Sequence, residues 1–151
     1  MKHLAVYLMI GLSLLSSNLF AQGTKIDCSD AENMMDHIDH IATWKDLYDS
    51  FKQYQGCDDG AYAEGYSDFV VRTLASKWLT LSDLHLLTSK DNNFRSFVIQ
   101  HIDATTDYDD LKVIVKNATT ICPTDFKSLC SDVLRAAEAA LKEGESIKEH
   151  K

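Results

Sequence analysis

Thr43-Trp44-Lys45-Asp46-Leu47-Tyr48-Asp49-Ser50-Phe51-Lys52-Gln53-Tyr54 is the stretch on which the fold turns. Its apolar residues Trp44, Leu47, Tyr48, Phe51 and Tyr54 recur at intervals of three and four, the spacing that lines one face of a helix. Thr43 stands where an N-cap is needed, and Asp46 follows as a short-armed capping-box partner. The stretch therefore reads as an amphipathic α-helix with one face to bury.

The same spacing continues outward in both directions. Upstream, Met34, Met35, Ile38 and Ile41 form a stripe that Ser29 or Asp30 can cap. Downstream, Gly56 to Gly60 reads as a turn, and a helix from about Ala61 to Trp78 presents Tyr62, Tyr66, Phe69, Val70, Leu74 and Trp78. Thr80, with Asp83, is expected to cap a short helix carrying Leu84 and Leu87, followed by an exposed loop over Ser89 to Asn93. A helix from about Asn93 to Ile102 carries Phe94, Phe97, Val98 and Ile102. Thr106 opens the next, with Asp109 or Asp110 in its first turn and Leu111, Ile114, Val115 and Ala118 inward. After Cys122-Pro123, a last helix runs from Thr124 to Lys142, and Gly144 is expected to end it before a mobile charged tail.

The expected fold class is all-α, a compact bundle of six or seven short amphipathic helices stapled by up to two disulfides. Residues 1–21 read as a signal peptide, 22–142 as a single helical domain and 143–151 as the tail. Hydrophobic residues make up 45% of the chain, with one Pro and six Gly, which excludes disordered, collagen-like and turn-rich all-β designs. Fifteen Lys and Arg face 23 Asp and Glu, a formal charge of −8. That balance excludes broad nucleic-acid or anionic-membrane binding and favours a basic partner. It leaves a homodimer open.

The signal-peptide reading rests on basic Met1-Lys2-His3, the apolar run Leu4 to Leu15, and a polar stretch ending in Ala21. The run is shorter than the roughly 20 residues of a bilayer span, so no membrane anchor is expected after cleavage. Export leads to a periplasmic or secreted product of roughly 130 residues. In an oxidising compartment Cys28, Cys57, Cys122 and Cys130 are expected to pair. Three pairings are open, and Cys28 with Cys57 and Cys122 with Cys130 is the one favoured. Eight residues of helix would hold Cys122 and Cys130 about 12 Å apart, beyond the roughly 7 Å a disulfide tolerates. Pro123 must therefore turn the chain.

No nucleophile elbow, metalloprotease motif, P-loop or dinucleotide fingerprint is present, so no catalytic residue and no cofactor are expected. In Met34-Met35-Asp36-His37-Ile38-Asp39-His40, helical spacing can bring Asp36, His37 and His40 towards a zinc or copper ion, although a third or fourth ligand is wanting. The competing reading puts these residues on a solvated face. His85 and His101 read as hydrogen-bonded, partly buried residues. Two acidic clusters surround tyrosines: Asp58, Asp59 and Glu64 near Tyr62 and Tyr66, and Asp103, Asp107, Asp109 and Asp110 around Tyr108. Such surfaces suit docking, because Tyr supplies rigid contact area and carboxylates steer a basic partner. The plainer reading is solvated helix ends and caps. Asp58, Asp59, Tyr62, Glu64, Asp107 and Tyr108 are the expected partner-binding residues. Asn117-Ala118-Thr119 is a formal glycosylation acceptor.

The order of these features carries a resemblance: early Cys28, then Cys57 before Gly60-Ala61-Tyr62-Ala63-Glu64-Gly65-Tyr66, amphipathic helices, and Cys122-Pro123. Across Cys28 to Cys130 the chain resembles the small helical periplasmic immunity proteins that protect bacteria against type VI secretion amidase effectors. The resemblance implies a protein without catalytic residues that occludes a toxin's active-site cleft. Two other functions fit the same helices, a secreted carrier of a small apolar ligand and a His/Asp metal-binding protein.

Overall fold

The computed structural model describes Cys28 and residues 31–149. The stretch read as a signal peptide and the expected caps Ser29 and Asp30 lie outside the described residues. Among the described residues seven α-helices follow one another: α1 (Ala31–Asp39), α2 (Trp44–Tyr54), α3 (Gly60–Ser76), α4 (Leu81–Thr88), α5 (Asn92–Gln100), α6 (Tyr108–Thr120) and α7 (Lys127–Glu149). Single 3-10 turns occur at Gln55–Cys57, Trp78–Thr80 and Thr124–Phe126. No strand occurs among the described residues, and none of their helices is long and apolar enough to cross a membrane.

The opening stretch folds as its spacing predicts. Thr43 caps α2 in a complete capping box: its side chain accepts from the Asp46 amide, and the Asp46 carboxylate accepts from the Thr43 amide. Trp44, Leu47 and Phe51 are buried, while Tyr48 packs half-buried against the same core. Each such side chain contributes about 1.5–3 kcal/mol through burial. The Trp44 indole donates to the Thr80 hydroxyl at 2.9 Å, fastening α2 to the start of α4.

That bond belongs with the first correction. Thr80 makes no side-chain cap on α4, because its hydroxyl donates to the Lys77 carbonyl while accepting from Trp44. The expected loop over Ser89 to Asn93 is shorter than predicted. Asp91 accepts from the Asn93 and Phe94 amides and starts α5 at Asn92, so it is a cap and not a loop residue. Likewise Asp107, not Thr106, caps α6. Thr106 instead donates to the Asp103 carbonyl. Helix α3 stops at Ser76, and Trp78 lies in the 3-10 turn beyond it, with its indole donating to the Ile121 carbonyl.

Gly144 does not end the last helix, which continues to Glu149. Helical backbone dihedrals lie within glycine's range, and a Gly inside a helix costs stability without forcing a stop. Helices α6 and α7 form the most extensive pairing, and α6 also packs on α3. Phe51, Tyr66, Phe94 and Phe97 meet one another in tilted and edge-on contacts at the centre, with ring centroids 5.0–5.4 Å apart. Ser50 and Tyr66 satisfy each other's buried hydroxyls at 2.8 Å.

Both favoured disulfides are present. Cys28 bridges Cys57 with Cα atoms 5.5 Å apart, and Cys122 bridges Cys130 at 6.2 Å. The turn at Pro123 and the 3-10 turn after it supply the reversal that a continuous helix would have denied. Two disulfides suit an oxidising, extracytoplasmic environment.

Candidate functional site

The site begins at α3, where Glu64 and Asp68 lie one turn apart on an exposed helical face. Opposite them runs the connection from α5 to α6. Asp103, half-buried, holds that connection in place. One carboxylate oxygen accepts from the Ser67 hydroxyl of α3 at 2.6 Å, and the other accepts from the Thr105 amide and hydroxyl at 2.8 and 2.5 Å. Burial works to raise the Asp103 pKa, but these hydrogen bonds outweigh it and leave the carboxyl below its usual range.

This anchoring presents Asp107 and Thr105 to α3. Glu64, Asp68, Thr105, Thr106 and Asp107 line a groove of about 320 Å³. Asp110 stands in the first turn of α6 close by. Burial first, then the charges of Asp107 and Asp68, hold its carboxyl above the usual range. Arg72 pairs with Asp68 at 2.9 Å and Lys112 with Asp109 at 2.9 Å. The carboxylates of Glu64, Asp68, Asp107, Asp109 and Asp110 outnumber these two cations, so the groove is an acidic surface.

Beyond Thr106 the lining changes character. Ala104, Thr106, Tyr108, Leu111, Ala140, Gly144 and Ile147 line a second groove of about 260 Å³ between the start of α6 and the end of α7. Tyr108 forms its wall: its hydroxyl donates to Glu145 at 2.7 Å, and the Lys112 ammonium lies 4.3 Å from its ring centre.

The structure divides the expected docking residues. It brings Glu64 and Asp107 together and places Tyr108 next to them, joining parts of two clusters that are 43 residues apart in sequence. Asp58, Asp59 and Tyr62 are not among the residues lining either groove. Asp58 is half-buried, 3.1 Å from Nε2 of His101. Asp59 caps α3 through the Gly60 amide. Tyr62 packs half-buried on the core, and Tyr66 is buried within it. Asp68 went unrecognised in the sequence, although its i+4 spacing from Glu64 was the available signal. The apolar groove was signalled only by Ala140, Gly144 and Ile147 recurring at four and three along α7.

The Asp36, His37 and His40 constellation is not assembled. His37 turns to the ring of Tyr54, with centroids 5.2 Å apart, whereas exposed His40 bonds the Asp36 carbonyl at 2.6 Å. That bond, then the Asp36 carboxylate, raises the His40 pKa. Among the described residues no three His, Cys, Asp or Glu side chains are placed to hold a metal ion. His85 stacks on Phe126 at 4.4 Å but, against expectation, its buried Nδ1 has no hydrogen-bond partner, whereas His101 is a buried, hydrogen-bonded residue. The Asn117 amide nitrogen of the formal glycosylation acceptor faces the Leu74 and Ala75 carbonyls at the end of α3.

No protein-family model matches the chain, and neither a curated protein nor a solved structure matches it.

Proposed function

We propose that this chain is an exported binding protein that docks on a basic secreted hydrolase of the cell-wall amidase type and occludes its active-site cleft, as the immunity proteins it resembles do. It acts through contact and not through catalysis of its own. The observation that carries the reading is the acidic groove of Glu64, Asp68 and Asp107, where an Arg or Lys from a partner would relieve the crowding of like charges. The N-terminal apolar run and the two disulfides support an oxidising compartment, the periplasm in this reading.

The carrier reading has less support. The rings it would arrange around a ligand, those of Phe51, Phe94, Phe97 and Tyr66, are packed on one another. The metal reading lacks an assembled ligand set among the described residues.

The test is co-expression of the chain with a periplasmic cell-wall amidase toxin, scored by cell survival and by recovery of a purified complex. Protection is expected, and its loss in Glu64→Lys/Asp68→Lys with the fold retained. Lysis at the same rate with and without the chain, across a panel of such amidases, would falsify the proposal.

A further inference from the structure

The apolar groove is open, with Ile147 still 49% exposed at its rim, so it cannot enclose a free small ligand. A Cβ built on Gly144 meets nothing within 4 Å, so the glycine leaves open space beside the groove that a partner's side chain can take. Leu111 and Ala140 form its buried floor. Thr106 lines both this groove and the acidic one, so the two are neighbours.

We infer that the two grooves together seat one segment of a basic partner protein, in which an Arg or Lys lies within a few residues of a Leu- or Phe-sized side chain. The inference rests on the protein-binding reading above and adds the chemistry of what binds. The basic group enters between Glu64, Asp68 and Asp107. The apolar group lies over Leu111 and Ala140, against Gly144. Charge complementarity selects the partner, while the apolar contact holds it once docked. This division follows general interface physics, in which charges steer approach and buried apolar anchors carry most of the affinity.

The test titrates the oxidised, folded, 15N-labelled protein with acetyl-Arg-Ala-Leu-amide and follows backbone amide signals. Acetyl-Glu-Ala-Leu-amide and acetyl-Arg-Ala-Ser-amide are the comparison peptides. Saturable shifts are expected at Thr106 and Asp107 and also at Gly144 and Ile147. Replacing Leu by Ser weakens binding on the order of tenfold, as expected for one buried aliphatic side chain. Reversing the charge weakens it several-fold, in a salt-dependent way. Gly144→Leu fills the groove, and the helical signature of α7 serves as the folding control. It is expected to weaken the first peptide to the level of the Ser peptide.

Absence of shifts at Gly144 and Ile147 at millimolar peptide overturns the inference, as does equal binding by Gly144→Leu and the parent. Intact amidase protection alongside a failed titration discards the composite groove and leaves the proposed function standing. Peptide binding without protection against any amidase does the reverse.

Discussion

The imidazole of His101 is held between Phe97 and Asp58: Nδ1 lies 2.8 Å from the Phe97 carbonyl oxygen, and Nε2 lies 3.1 Å from an Asp58 carboxylate oxygen. The contact ties the turn after Cys57 to the end of α5, and His101 is 4% exposed. Asp58→Ala leaves the buried ring short of an acceptor and should cost about 1–3 kcal/mol in urea unfolding. With His101→Phe as the second arm, the double variant should cost less than the sum of the singles. Strict additivity would refute the pairing.

Acid should destabilise the fold through Asp103 and Asp132. Burial works to raise each pKa, but hydrogen bonds from Ser67 and Thr105 to Asp103, and from Arg95 and Arg135 to Asp132, leave both lowered. A carboxyl with a lowered folded pKa contributes stability that is complete above its unfolded value of about 4 and is lost as pH falls through the folded value. Asp110 has the opposite sign. Its raised pKa means that protonation on acidification relieves the cost of burying the charge, then the repulsion from Asp107 and Asp68, and partly offsets the loss. Unfolding free energy measured against pH should therefore fall below about pH 4, and Asp103→Asn should flatten the slope. An unchanged slope in that variant would rule out the assigned role.

Two helical glycines should respond in opposite directions. A Cβ at Gly65 would come within 2.6 Å of Ile38 Cγ2, so Gly65→Ala pushes α1 away from α3 and should cost about 1–3 kcal/mol. Gly144 has open space at the same position, so Gly144→Ala should stabilise α7 by about 0.5–1 kcal/mol. Chemical denaturation of the two variants side by side measures the contrast.

The disulfides close loops of unequal length, with sequence separations of 29 and 8. If constraint of the unfolded chain dominates, removing Cys28–Cys57 should cost about 3.5 kcal/mol and removing Cys122–Cys130 about 2.5 kcal/mol. Paired Cys→Ala variants followed by thermal unfolding give both values. A larger loss at the short loop would show that the bridge chiefly holds the Pro123 turn in the folded state.

The helical class was legible because it depends on local spacing. Trp44, Leu47 and Phe51 can share a face only if the backbone turns at 3.6 residues, and the Thr43 and Asp46 cap is settled within four residues. Helix ends were less legible. Asp91 and Thr80 look equally able to cap, yet Thr80 is drawn to Trp44, a residue 36 positions away, and its hydroxyl is spent there.

The residues expected to dock a partner show the same division. The acidic excess and the cysteine count are properties of composition and order, and the sequence by itself determined them. Which carboxylates act together was decided only by tertiary structure. Asp58 and Glu64 are near neighbours in the chain, but Asp58 is drawn under His101 while Glu64 faces Asp107 across the α3 and α6 junction. Periodicity specifies which face of each helix is wet. It does not specify which wet faces meet, because that follows from how the buried faces pack, through contacts between residues distant in the chain.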